Sequence, residues 1–354
     1  MGLIRCFIGS VVLTLGACAP VDHTPPPGPA PVPERPKDLI VAFIGDQGSG
    51  PGARAVLELI KGEGSEIVLH QGDFDYRDDP EAWDDLITDV LGADFPYFAS
   101  IGNHDRKRFF GPGGYQEKLL QRLERIPRAR CTGDLGVLSA CRYGNLFIVL
   151  SGIGTVPKRP NDPHHIAYIG EQLSQSQAPW KICSWHKNQR AMQVGKKKNE
   201  VGWKAYETCR QAGAIIATGH EHSYSRTHLM DNFESKSVLS TSSTLHVGPG
   251  RSFAFVSGLG GLNIRRQRRG GPWWAAIHSK SQGAKHGALF CIFDGGPASK
   301  RARCYFKTID GRVVDRFTIF NDGAKTSPTA ISSKYFMATL YHGGTKLKSR
   351  SVTC

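Results

Sequence analysis

Between Leu39 and His222 short apolar runs end, again and again, in a small polar signature: LIVAFIGDQG, EIVLHQGDFDY, YFASIGNHD, WKICSWH and AIIATGHEH. Stretches with helical spacing separate them, among them ARAVLELIKGEG with its glycine stop, PEAWDDLITDVLG and VGWKAYETCRQAG. Strand-length runs alternating with helix-period segments specify an α/β fold. In α/β sheets, ligands bind beyond the carboxyl ends of the strands. If these strands are neighbours, Asp46, Asp73, Tyr76, Asn103, His104, His186, His220 and His222 meet on one rim. Gly45, Gly72, Gly102 and Gly219 each precede a candidate ligand, where the backbone must turn sharply or approach an ion closely. Beyond Tyr224 the helical pattern fades. SFAFVSGLGG, HGALFCIFD and RCYFKTIDGRVVDRFTIF read as strands, the last a hairpin turning at Asp310-Gly311.

Carboxylates, imidazoles, an amide and a phenol gathered in this order are a metal-binding set. Two metals held a few Å apart can activate a water and clamp a phosphoryl group for in-line displacement. One carboxylate must bridge the ions, and Asp73 is central enough to do so. Phenolate is a hard ligand, so Tyr76 speaks for ferric iron in one position. Three anionic ligands (Asp46, Asp73 and the Tyr76 phenolate) against one trivalent and one divalent ion leave a cationic site that draws in a phosphoester. Singly, these residues mean less: a lone His186 or His70 is more often structural, and Asp46 could cap a helix. Asp75, Asp78 and Asp79 are assigned to a solvated loop, because the metal needs only Asp73 and Tyr76 from that run.

The ordered set GDQG, GDFDY, GNHD, WH and GHEH resembles the calcineurin-like metallophosphoesterase superfamily. Tyr76 in GDxxY and the extended GHEHSYSRT make the chain most similar to the purple acid phosphatases, from about Leu39 to Phe320. The resemblance implies a four-layer αββα sandwich of two mixed β-sheets flanked by helices, with FVSGLGG and the final hairpin in the second sheet. It implies Asp46, Asp73, Tyr76 and His222 around a first metal, Fe(III). It also implies Asp73, Asn103, His186 and His220 around a second metal, zinc, manganese or Fe(II). His104 would contact phosphate and protonate the leaving oxygen while a metal hydroxide attacks a phosphate monoester in line. The chain departs from plant and mammalian members after His186, where KNQRAMQVGKKKNEVGW carries no histidine. Lys187 and Arg190 are the substrate-binding candidates there. They keep their charge well above neutral pH, so an acidic optimum does not follow from the family name. Two other functions fit the same fold: a phosphodiesterase acting on nucleotides or lipid headgroups, and a non-catalytic surface binding protein. The latter is disfavoured because every expected ligand position is filled.

The N-terminus carries a single basic residue, Arg5, and an apolar stretch too short to span a bilayer. Residues 1–18 read as a signal peptide whose end, LGAC, resembles a lipobox, making Cys18 the lipidation site and a bacterial membrane the anchor. An ordinary signal peptide cut near Ala17 or Ala19 is the alternative, giving a secreted protein. A proline-rich linker (19–37) leads to the catalytic domain (38–320) and a loose basic tail (321–354). Setting Cys6 and Cys18 aside, the spacing suggests disulfides Cys131–Cys141, Cys291–Cys304 and Cys183–Cys209, with Cys354 unpaired. Lys and Arg number 45 against 31 Asp and Glu, which favours anionic partners. The compact run LNIRRQRRGG reads first as a solvated loop, and otherwise as an electrostatic rim for a polyanionic substrate or membrane phosphates. It lacks the interleaved aromatics of a nucleic-acid platform, so no specific nucleic-acid binding is expected.

Overall fold

The first apolar run forms β1 (Leu39–Ile44), and α1 (Pro51–Gly62) follows it. Pro51 presets the first helical turn, and Ala53, Val56, Leu57 and Ile60 make the apolar stripe that the 3.6-residue period requires. Then come β2 (Ile67–His70), α2 (Pro80–Leu91), β3 (Tyr97–Ala99) and α3 (Tyr115–Glu124). The middle of the chain supplies β4 (Arg130–Asp134), β5 (Leu138–Tyr143), β6 (Leu146–Ser151), α4 (Pro163–Gln175), β7 (Trp180–Trp185), α5 (Trp203–Gln211) and β8 (Ile215–Thr218). Strands alone dominate thereafter: β9 (Tyr224–Thr227), β10 (Leu229–Asn232), β11 (Ser237–Ser240), β12 (Thr244–Val247), β13 (Ala254–Ser257), β14 (Trp274–His278), β15 (Gly287–Phe293), β16 (Arg301–Thr308) and β17 (Val313–Asn321). This computed structural model describes residues 37–296 and 299–323, together with a short pairing of 341–342 against 345–346. The expected signal peptide with Cys18, and nearly all of the linker and of the tail beyond 323, Cys354 included, lie outside the described residues.

Two mixed sheets carry the domain. One has seven strands in the order β12-β17-β16-β15-β1-β2-β3, the other eight in the order β14-β9-β13-β8-β7-β6-β5-β4. In each, the early β–α units run parallel (β1, β2 and β3 in one; β6, β7 and β8, continued by β13, in the other), and the antiparallel pairs β1–β15–β16–β17, β4–β5–β6 and β13–β9–β14 make the sheets mixed. The sheets face each other through aromatic pairs: Phe43 with Phe255, centroids 5.2 Å apart, Trp180 with Phe293 at 5.0 Å, and Tyr224 with Phe306 at 4.2 Å. Phe43 is fully buried, and truncating such a ring costs about 3–5 kcal/mol. Helices α1–α3 cover the outer face of the seven-stranded sheet, while α4 and α5 cover the other, forming a second core with Trp185, Tyr206 and Ile216. The layers are those expected. FVSGLGG and the last hairpin, however, do not share a sheet: β13 joins β8 and β9, whereas β16 and β17 extend from β15 beside β1. Both read as apolar strands, and only long-range pairing separates them.

The three disulfides are the pairs suggested by spacing. Cys131 and Cys141 lie directly opposite each other on β4 and β5, as do Cys291 and Cys304 on β15 and β16, with Cα separations of 4.0 and 4.2 Å. Cys183 and Cys209 tie β7 to α5. Among the described residues no helix is long and apolar enough to cross a membrane.

Candidate metal centre

Every candidate ligand sits just past the carboxyl end of a parallel strand. Asp46 follows β1, Asp73 and Tyr76 follow β2, Asn103 follows β3, His186 follows β7, and His220 and His222 follow β8. The turns that present them are strained. Asp46, Asp73, Tyr76 and His220 all have left-handed backbones, with φ of 56°, 60°, 62° and 69°. Side chains rarely tolerate that region, and such strain gathers at sites where the surroundings over-determine it. The two glycine turns after β2 and β3 interlock: a Cβ on Gly102 would lie 2.1 Å from the Asp73 nitrogen, and one on Gly72 would lie 2.6 Å from the Gly102 nitrogen. Glycine is required at both positions by close approach.

The three histidines are held in one sense. His186 Nδ1 meets the Gln71 carbonyl at 2.7 Å, and His222 Nδ1 meets the Asn263 carbonyl at 2.7 Å. His220 Nε2 lies 2.7 Å from Glu200 Oε2. Carbonyls and carboxylates only accept, so each outer nitrogen donates its N–H, and each inner nitrogen is the one that would offer a lone pair to a cation once it carries no proton. Those inner nitrogens converge. His186 Nε2 is 3.1 Å from Asp73 Oδ2 and 3.0 Å from His220 Nδ1, and His222 Nε2 is 3.3 Å from Asp46 Oδ1. Asp73, His186 and His220 offer ligand atoms that all lie within 4.8 Å of one another. Asn103 Oδ1 is buried with no hydrogen-bond partner, an orphan acceptor of the kind a cation would satisfy. Tyr76 Oη donates to Asp46 Oδ1 at 2.9 Å and lies 3.2 Å from His222 Nε2.

The titration behaviour follows from this crowding. Burial works to raise the Asp73 carboxyl, but His186 outweighs it and holds the group well below the usual carboxylate range. Asp46 is likewise lowered, burial being overcome by His222. Burial lowers His186, yet Asp73 and Asp46 together push it up to about 9. Burial brings His220 down to about 4 despite Glu200, so its ring is neutral near pH 7. Burial, with Asp46 and Asp73 beside it, raises Tyr76 well above the ordinary phenol value. Without a cation, Tyr76 is therefore a neutral donor. Two carboxylates, imidazole lone pairs and an unsatisfied amide oxygen suit a hard or borderline metal ion. The residues present fit such a group.

His104 stands on the open side of the cluster. Its side chain is half exposed, its ring lies 4.4 Å from that of Tyr76, and its Nε2 is 4.0 Å from Asp73 Oδ2. Other expectations need correction. Asp75 is buried rather than solvated, accepting from the backbones of Arg77 and Asp79 at 2.9 Å each and from Tyr115 Oη at 2.5 Å. It folds the loop that carries Tyr76. Asp79 caps α2, and Asp78 pairs with Lys107 at 3.0 Å. Lys187 is not a free phosphate ligand: it is buried, with Nζ 2.8 Å from Glu200 Oε1. Arg190 is exposed, in a short turn after β7. Two supporting acids escape a reading of the sequence. Asp105 accepts from the backbones of Asp73 (2.9 Å), Phe74 (2.8 Å) and Gly102 (2.6 Å), locking the two glycine turns together. Glu200 orients His220. Asp105 was in view as the last residue of GNHD; nothing local marks Glu200.

The calcineurin-like phosphoesterase family model matches residues 39–224, more than half of the chain. No curated protein sequence matches it. Among solved structures, a purple acid phosphatase from seeds of yellow lupin (Lupinus luteus) aligns at 18% identity with a TM-score of 0.60, covering 82% of this chain and 55% of that one. The present chain thus spans little more than half of that relative's length. GAP50, described as the anchor in the inner membrane complex of Plasmodium, aligns at 14% identity with a TM-score of 0.53, covering 82% of this chain and 91% of that one. At such identities the likeness is one of fold.

Proposed function

The chain belongs to the calcineurin-like phosphoesterase family, and from that premise we propose that it hydrolyses phosphate monoesters at a dinuclear metal centre. The observation that supports this best is the set of three imidazoles, pinned from outside, with inner nitrogens that converge on Asp46, Asp73 and one another. In this reading Asp46, Asp73, Tyr76 and His222 hold one ion, and Asp73, Asn103, His186 and His220 hold the other. Fe(III) suits the Tyr76 position, and zinc, manganese or Fe(II) the second. When bound, the ions supply Lewis acidity, activating water and neutralising charge on the phosphoryl oxygens.

The chain's own residues do the rest. Asp73 and Asp46 keep the centre anionic enough to hold cations, His220 is already neutral near pH 7, and His186 would give up its inner proton as a cation enters. Asp105 and the interlocked glycines fix the Asp73 turn, so the ligand atoms need little reorganisation on binding. His104, on the solvent side, is placed to meet the ester. As the P–O bond to the leaving group breaks, the electron pair passes to the leaving oxygen, which takes the proton of the His104 imidazolium. The disulfides support an exported protein, since such bonds persist outside the reducing cytosol. Anchoring through a lipid on Cys18 is part of the same proposal. Hydrolysis of 4-nitrophenyl phosphate by the metal-loaded chain, abolished by chelation and by Asp73→Asn, is the expected result. Turnover indifferent to both would refute the proposal.

A further inference from the structure

The basic run Leu262–Gly271 exposes Asn263, Arg266, Arg268 and Gly270 as a solvated loop would, but its backbone is braced. The Arg265 nitrogen donates to the His222 carbonyl at 3.0 Å, and its guanidinium Nη1 donates to the His220 carbonyl at 3.0 Å. Arg268 and Arg269 nitrogens both donate to the Val194 carbonyl, at 2.8 and 2.9 Å, and the Lys280 nitrogen donates to the Arg265 carbonyl at 2.8 Å. The loop after β13 is thereby laced to the loop after β7 and to the backs of two metal-ligand histidines. Between them lies a cavity of about 350 Å³ whose polar lining is Lys196, Arg265, Arg266, Arg268, Lys280 and Glu221. Among the described residues none of these five cations meets a carboxylate, the nearby Glu200 being taken by Lys187 and His220. Glu221 is 1% exposed, and its Oε2 has no hydrogen-bond partner. Five cations around one unpaired buried carboxylate form a pocket short of negative charge and short of one hydrogen-bond donor. Glu221 sits between His220 and His222, and adjacent Cα atoms are ~3.8 Å apart, so the pocket begins beside the proposed metal centre.

Building on the phosphoesterase reading, we propose that this cavity is a subsite for a second phosphoryl group of the substrate. The substrate class is then a small phosphoester carrying a further phosphate or diphosphate, with a hydroxyl near it to donate to Glu221. Guanidinium groups on a braced backbone suit that ligand, because phosphate accepts their paired N–H bonds in fixed geometry. Arg266, Arg268, Lys196 and Lys280 are exposed at the rim, and Arg265 is the half-buried member of the set.

The test begins with binding of inorganic pyrophosphate and orthophosphate to the metal-free full chain, at constant ionic strength, followed by calorimetry. The metal-free state isolates the cavity from the metal centre. Pyrophosphate should bind at least about tenfold tighter than orthophosphate, and Arg266→Ala/Arg268→Ala should weaken it about tenfold or more, one charge-assisted contact being worth that much. Glu221→Gln should act in the opposite direction, tightening pyrophosphate by removing a like charge, which no misfolded variant would do. With metals restored, KM for a sugar bisphosphate should lie well below that for 4-nitrophenyl phosphate, and the double arginine variant should erase the difference. Equal pyrophosphate affinity in wild type and variants, or equal KM values, would overturn the subsite. Retained pyrophosphate binding without turnover of any phosphoester would instead overturn the phosphatase reading and leave only an anion-binding cavity.

Discussion

Replacing Glu200 by Gln tests whether the chain's own residues tune the metal centre. Glu200 Oε2 accepts from His220 Nε2 at 2.7 Å, and its Oε1 takes Lys187 Nζ at 2.8 Å. Burial works against its charge, but His220 and Lys187 outweigh that and bring its pKa down to about 2, so it is ionised at neutral pH. The substitution keeps the shape and removes the charge, with two separable consequences. His220 loses the carboxylate that fixes its tautomer and strengthens its inner lone pair, which should lower affinity for the second metal about 10–100-fold, or ~1.4–2.7 kcal/mol. Lys187, only 10% exposed in its side chain, loses its counter-charge. An uncompensated buried charge costs about 3 kcal/mol or more. Adding Lys187→Met separates the effects: it should restore the melting temperature of the metal-free chain and leave the metal affinity weak. Competition titration with zinc or manganese reads the first quantity, and thermal unfolding in chelator reads the second. Unchanged metal affinity in Glu200→Gln, or affinity regained with Lys187→Met, would refute the reasoning.

Asn103→Ala should remove the second metal and most phosphatase activity while leaving the first metal bound, as metal analysis with an activity assay would show. Tyr76→Phe should abolish any visible charge-transfer band of the iron-loaded chain; an identical spectrum would mean that the phenol is not a ligand. In the metal-free chain, His186 is raised from 6.5 to about 9 and holds its proton beside Asp73. The sign follows: that pair's stabilisation is complete below about pH 6.5 and is lost as pH rises through about 9, whereas a metal must displace the proton. Metal loading at pH 7 should therefore release a proton, and apparent affinity should climb with pH until about 9 and then level off. A pH-independent affinity across that range would contradict the ligand role of His186.

Much of the site was legible because its chemistry is written locally. A glycine must precede a ligand where two turns interlock, and aspartate, asparagine or histidine must end each parallel strand, so GD, GNH and GHEH announce themselves. The cross-strand disulfides were legible for a similar reason, since a hairpin brings Cys131 opposite Cys141 and Cys291 opposite Cys304. What escaped is what folding brings from afar. Lys187 reads as a free cation until Glu200 is seen across the loop, and Asp75 reads as solvated until Tyr115 on α3 closes over it. Short, partly exposed strands such as β11 and β12 carry too little apolar pattern to be recognised. The sheet to which β16 and β17 attach depends on β15 pairing with β1, more than two hundred residues earlier in the chain.

The most direct test of the proposed centre is metal analysis of the purified chain together with its visible spectrum. About two metal ions per chain, iron among them, with a purple or pink band that Tyr76→Phe removes, is the predicted result. Two ions without the band would retain the phosphoesterase and reject ferric tyrosinate. A chain that binds no zinc, manganese or iron under any loading condition would contradict the metal centre itself, leaving a binding protein on the same fold.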